Sequence, residues 1–151
     1  MEELIKSLNK CLANTFIMYF KTHSYHWNVE GIHFSQYHEF FGDLYTEVHG
    51  AVDAMAEKIR IEGPYAPISL SELYNNATLE EDREKPQTCH AMIVNTYAAN
   101  TAVIACLQEA FDLANSMNKQ GLADFLAGRL DIHKKHEWML RVSMKTNEGE
   151  I

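Results

Sequence analysis

Three observations predict an all-α chain folded as a four-helix bundle. Apolar residues recur at helical spacing in four long stretches, strand-type alternation is absent, and two of the connections are tight while one is long. A stretch of roughly 25 residues makes a helix about 37 Å long at 1.5 Å per residue. Four such helices bury their apolar stripes against one another. The tight connections make the first and second helices, and the third and fourth, antiparallel neighbours. The long connection, 64–86, has enough chain to travel the length of the bundle. At 151 residues the chain is expected to be one domain, 1–151, able to bury its own core.

The first helix is predicted over about 2–28, on a stripe of Leu4, Ile5, Leu8, Cys11, Leu12, Thr15, Phe16 and Tyr19. A short turn containing Gly31 follows. The second helix is predicted to begin near Ser35, a residue type that caps helix N-termini. It carries Tyr37, Phe41, Leu44, Val48, Met55 and Ile59 inward and stops at Glu62-Gly63-Pro64. Within the long connection, 69–74 reads as a short helix with a serine cap, and 79–85 is charged and expected at the surface. The third long helix, about 88–116, is rich in alanine. The fourth is predicted over about 119–144, and the acidic tail 146–151 is expected to fray.

Composition narrows the function classes. The formal net charge is −8, which disfavours attraction to nucleic acid or anionic membranes and suits a cationic partner. Hydrophobic residues make up 46 % of the chain, too many for a disordered one. The longest strong apolar run, 102–107, is short, so no segment is expected to span a bilayer. The start, Met1-Glu2-Glu3, lacks a signal-peptide pattern, and a cytoplasmic setting is the expectation. Cys11, Cys89 and Cys106 form no CxxC motif. They read as small buried hydrophobes in a reducing compartment.

The chemistry concentrates in residues 26–57, which hold His26, His38, Asp53 and Glu57. Imidazole and carboxylate are ligands for metals such as iron and zinc. Asp53 and Glu57 lie four apart and share one helical face. Like charges at that spacing repel, so the pair is either a metal clamp or a solvated face that tolerates the cost. His26 is alternatively a structural histidine beside Trp27, and His38 an outer partner rather than a ligand. His49 falls on nearly the same face as Asp53, and reads as a surface histidine, an outer partner or an extra ligand. His133 and His136, three apart, fit packing better than metal. Met55, Met92 and Met139 read as core filling. Tyr19, Tyr25, Tyr37 and Tyr45 are expected to gather near the histidines.

Three blocks carry a family resemblance. They are Tyr25-His26-Trp27-Asn28-Val29-x-Gly31-x-x-Phe34-x-x-x-His38-Glu39, Asp53-x-x-Ala56-Glu57-Lys58-Ile59 and His136-x-Trp138-Met139-Leu140-Arg141. On these the chain resembles the Dps-like miniferritins, a ferritin-like family named for DNA-binding proteins from starved cells, over nearly its whole length. The resemblance implies a ferritin-like bundle whose long crossover carries a short helix. It implies a di-iron ferroxidase centre at the two-fold subunit interface, with His26 and His38 from one subunit and Asp53 and Glu57 from its neighbour. Trp27 falls beside that centre. A hollow homododecamer is implied, taking Fe(II), oxidising it with hydrogen peroxide and storing a ferric mineral, in the service of protection from oxidative damage.

Some positions depart from that pattern. Many members have an aspartate where this chain has Gly42, with Asp43 next to it and turned about 100° away. The second metal position is therefore expected to be the weaker, and an aspartate at 42 to complete it. Of the acids around the three-fold pore only Asp124 matches, with Asn115 and Gln120 at other places. No lysine-rich arm precedes the first helix, so DNA binding is not expected. The alternatives to iron storage are a DNA-protecting architectural protein and a metal buffer with a weakened centre.

Overall fold

The computed structural model describes residues 1–145. Four long helices, α1 (Glu2–Asn28), α2 (Phe34–Ile61), α4 (Cys89–Ser116) and α5 (Gln120–Ser143), are joined by two short turns and one crossover that carries α3 (Leu70–Asn75). The expectation for the tail, 146–151, lies outside the described residues.

Contacts along the chain set the topology. His26 meets His38 and Tyr19 meets His49, so α1 and α2 run antiparallel. Cys11 meets Cys106 and Tyr25 meets Asn95, so α1 and α4 do too. Asn100 bonds to His133 between α4 and α5. Glu47 with Arg129, and Glu62 with Lys119, pair α2 with α5 in the same sense. The core lies where the four stripes meet, with Leu4, Leu8, Met18, Phe41, Met55, Leu107, Leu126 and Leu140 fully buried. Each such side chain contributes about 1.5–3 kcal/mol by leaving water.

Helix ends follow local chemistry, with one correction. The Thr88 hydroxyl accepts from the Ala91 N–H at 3.0 Å and starts α4. The Ser69 hydroxyl accepts from the Glu72 N–H at 3.1 Å and starts α3. Ser35 is not a cap: α2 begins at Phe34 after His33, with no side-chain cap. The chain enters it instead through Gly31, whose φ of 114° favours glycine, and a bond from the Phe34 N–H to the Gly31 carbonyl. Gly63, at φ 119°, plays the same part after α2.

The crossover is exposed but strapped to α1. Asn14 is buried and uses its whole amide: its Oδ1 accepts from Thr78 N and Leu79 N, and its Nδ2 donates to Thr78 Oγ1. Lys21 pairs with Asp82 at 2.6 Å, and the Tyr25 hydroxyl donates to the same carboxylate. Burial and that bond push the Tyr25 phenol up, well beyond the usual range.

One further expectation is corrected. α4 is long and apolar enough to cross a bilayer by length and composition, with a mean hydropathy of 1.2 over its best window. In the fold its buried face, from Met92 and Ile93 to Ala114, belongs to the bundle core and includes the polar Thr96 and Asn100. The short apolar run at 102–107 understated it because small alanines, not large hydrophobes, supply much of its apolar character.

Candidate metal centre

The turn after α1 folds His26 and His38 onto each other. Their rings stack with centroids 3.8 Å apart and planes 16° from parallel. Phe34 covers the other face of His38 at 4.9 Å. The His26 Nδ1 lies 2.6 Å from the His38 carbonyl oxygen, and the His38 Nδ1 lies 2.6 Å from the His26 carbonyl oxygen. A carbonyl only accepts, so both Nδ1 atoms carry the proton and donate. In the neutral rings both Nε2 atoms are then left as lone-pair donors, the form a metal needs. His26 sits in the last turn of α1, where backbone carbonyls lack intrahelical partners, and His38 satisfies one of them.

Asp53 and Glu57 stand one turn apart on α2, both exposed. The neighbouring Asp53 carboxyl holds the Glu57 carboxyl above its usual range. A bound cation would relieve the repulsion between them.

The two pairs do not meet within one chain. His38 and Asp53 are 15 residues apart on one continuous helix, about 22 Å at its 1.5 Å rise. Among the described residues no three histidine, cysteine or acidic side chains come together as a metal site. His49 accordingly joins neither pair; its ring lies 4.5 Å from that of Tyr19.

Gly42 packs directly against His26. A Cβ at 42 would lie 3.1 Å from both Cε1 and Nδ1 of that imidazole. The room expected for an aspartate there is taken by the ring.

His23, to which the sequence assigned no role, is the hub of an aromatic cluster. Its Nδ1 lies 2.9 Å from the Tyr19 hydroxyl, its ring stacks on Tyr45 at 3.8 Å, and Trp27 lies 4.1 Å away. Trp27 thus rests on His23 and is half exposed. Burial, followed by the nearby His26 and His49, lowers the His23 pKa. The helical spacing 19, 23, 26 was the available signal. Two of the four tyrosines lie away from His26 and His38: Tyr25 packs on Phe41, and Tyr37 on Phe40 and His33.

A second polar group is built inside the bundle. Arg129 forks onto Glu47 at 2.6 and 3.1 Å, His136 Nε2 lies 2.7 Å from Glu47 Oε1, and Arg129 also reaches His133 Nε2 at 2.9 Å. Arginine only donates, so His133 Nε2 accepts and its Nδ1–H donates to Asn100 Oδ1 at 2.7 Å. The geometry alone fixes His133 as neutral. Burial first, then the Arg129 charge, bring its pKa down to about 3. Glu47 falls to about 2, because its bonds to His136 and Arg129 outweigh the burial that opposes them. His133 and His136 are thereby committed to packing.

An apolar cleft of about 380 Å³ between α1 and the crossover, lined by Phe16, Phe20, Leu70, Leu73 and Tyr74, contains none of the four candidate ligands. The candidate centre is therefore read from its donors, not from a cavity.

Comparison with known proteins places this arrangement. The family model described as a ferritin-like domain matches residues 5–146. General stress protein 20U of Bacillus subtilis is 31 % identical over 140 residues, covering 93 % of this chain and 96 % of its own. The DNA protection during starvation protein of Brevibacillus brevis is 31 % identical over 140 residues, covering 91 % and 92 %. Among solved structures, a Dps protein from Bacillus brevis has a TM-score of 0.89 at 28 % identity, covering 95 % and 96 %. Dps from Staphylococcus aureus has a TM-score of 0.90 at 26 % identity, covering 97 % and 98 %. In sequence and in fold, the chain belongs to the ferritin-like family, as a Dps-like miniferritin.

Proposed function

We propose that this chain is one subunit of an iron-storing homododecamer whose ferroxidase centre is completed between two copies. His26 and His38 come from one subunit, Asp53 and Glu57 from the next. The observation that carries the reading is the separation of two prepared half-sites. Two imidazoles are locked with Nε2 free, and two carboxyls stand one turn apart, about 22 Å from His38 along the same rigid helix.

Imidazole nitrogen and carboxylate oxygen suit Fe(II) and, after oxidation, Fe(III). Fe(II) is the substrate. A paired centre lets two Fe(II) ions give one electron each to one hydrogen peroxide, breaking the O–O bond without releasing hydroxyl radical. The backbone carbonyls of His26 and His38 keep each imidazole in the tautomer that can bind the ion. Glu57 holds a proton at pH values where a lone carboxyl has lost it, so uptake of the cation releases that proton to solvent. The firm position uses His26, Asp53 and Glu57, with Glu57 bridging, and the weaker one leans on His38. The ferric product is stored as mineral in the cage, in a cytoplasmic setting, as protection from oxidative damage. DNA is not a partner in this reading: the net charge is −8, and Lys134 and Arg141 both lie near Glu137.

The test is Fe(II) oxidation with peroxide in stopped flow. Asp53→Ala and Glu57→Ala, both at exposed positions, are expected to keep the assembly and lose most of the rapid phase, roughly 100-fold. Parental rates in both would place the centre elsewhere. Light scattering on the same samples reports whether twelve subunits assemble.

A further inference from the structure

Cys11 and Cys106, 95 residues apart in sequence, meet in the seam between α1 and α4. The Cys11 thiol lies 3.1 Å from the Cys106 carbonyl oxygen, and the Cys106 thiol lies 3.2 Å from the Val103 carbonyl oxygen. The Asn14 Nδ2 approaches that sulfur at 3.8 Å. At the rim, Lys10 is held by Glu109 at 2.7 Å. Both thiols are free, with Cys11 fully buried and Cys106 4 % exposed. An amide donor approaches the sulfur of Cys106 and not that of Cys11.

We propose that Cys11 and Cys106 form a peroxide-oxidised dithiol, with Cys106 as the nucleophile and Cys11 as the resolving thiol. The asymmetry assigns the roles. Cys106 alone receives the Asn14 amide, at 3.8 Å, and a donor to sulfur favours the thiolate once the thiol releases the Val103 carbonyl. Cys11 donates, and that bond together with burial holds its proton on. In the first step the Cys106 sulfur attacks one peroxide oxygen. The S–O bond forms, the O–O bond breaks, and the departing oxygen leaves as water with the thiol proton. In the second step the Cys11 sulfur attacks the sulfenic sulfur. The S–S bond forms, the S–O bond breaks, and the hydroxyl leaves as a second water with the Cys11 proton. One peroxide is thus reduced to two waters by two thiols. The Cys11 thiol already lies against the Cys106 backbone, and the S–S bond closes at about 2.05 Å.

The product pins α1 to α4 across a 95-residue span, and a crosslink of that span raises the melting temperature by restricting the unfolded chain. Cys89, half-exposed at the start of α4 and away from the pair, is the internal control. Its thiol is raised by burial, with no donor to stabilise the thiolate.

The full-length protein, without added iron, is treated with a stoichiometric amount of hydrogen peroxide. It is then denatured, alkylated and analysed by mass spectrometry. The expected result is a fall in alkylatable thiols from three to one, a Cys11–Cys106 crosslinked peptide, and a higher melting temperature reversed by dithiothreitol. In Cys11→Ser, Cys106 is expected to stop at the sulfenic acid, trapped by dimedone. In Cys106→Ser, Cys11 stays reduced. Three alkylated thiols after peroxide in the unsubstituted chain, which needs no variant to fold, would overturn the proposal. So would a Cys89 crosslink as the sole product. Trapping on Cys11 in place of Cys106 would overturn the roles. No iron enters the experiment, so failure leaves the ferroxidase proposal untouched.

Discussion

Gly42 sets how much room the His26 imidazole has. The ring lies over it with 3.1 Å to the position of an added Cβ, and any retreat bears on the 2.6 Å bond from its Nδ1 to the His38 carbonyl. Because His38 is bonded back to His26 in the same way, displacement of one ring loosens both. An aspartate at 42 therefore brings a carboxylate at the cost of the imidazole it was to assist. Gly42→Ala and Gly42→Asp are both expected to weaken Fe(II) binding about 10-fold or more, the usual effect of disturbing a ligand's supporting bonds. Anaerobic calorimetry with Fe(II) measures this. Two equal and tighter sites in Gly42→Asp would show that the ring swings aside without losing its function. The sequence displayed the missing carboxylate but not its reason, because the contact of His26 with Gly42 exists only once the turn at Gly31 has folded α2 back on α1.

At the scale of elements, α2 and α5 are held across the bundle by charge and hydrogen bonds as well as by apolar packing. Glu47 joins Arg129 and His136, Glu62 joins Lys119, and Lys58 lies over the Phe125 ring at 5.2 Å. The helices and the Ser69 cap were legible because period and capping are local properties, and Thr88, read only as a helix start, proves to be a cap as well. The cross-links were not, because the partners of Glu47 lie 82 and 89 residues away and no spacing rule connects them. The network makes a definite statement about pH. His133 binds its proton at about 3 when folded and near 6.5 when unfolded. Between those values the unfolded chain holds the extra proton, so stability falls as pH falls through that window. Glu47 adds to the loss below about 4.5, the unfolded value, down to its folded value of about 2. The His133 contribution is on the order of 4 kcal/mol across the full window. Urea midpoints at stepped pH are expected to decline from about pH 6.5 downward. His133→Gln, weaker at neutral pH, is expected to lose most of that slope between 6.5 and 4.5. An unchanged slope in the variant would move the acid sensitivity to other groups.

At the scale of the whole molecule, a rigid α2 forces the question of what completes each half-site. Ligand types were readable from residues 26–57, since few patterns combine two histidines with acids one helical turn apart. Their meeting was not, because no arithmetic on one chain brings together groups about 22 Å apart on a straight helix. The two-fold contact proposed above would answer it, since such a contact brings residue i of one copy to residue j of the other, and j to i. This gives a test that single substitutions cannot. One variant carries His26→Ala and His38→Ala and keeps the acids. A second carries Asp53→Ala and Glu57→Ala and keeps the histidines. Neither alone can build a centre by either arrangement. Denatured, mixed in equal amounts and refolded together, they pair at random, so half of the two-fold contacts join unlike chains. In each of those contacts one centre receives both histidines and both acids, while the other receives neither. The mixture is expected to recover about a quarter of the parental peroxide-dependent Fe(II) oxidation, with each variant refolded alone at background. Size-exclusion chromatography of the mixture checks that the assembly is the parental one. Recovery at that level requires ligands shared between copies. A mixture that assembles but stays at background would mean that imidazoles and carboxylates serve separate sites, and that the pair at Asp53 and Glu57 binds its cation without the histidines.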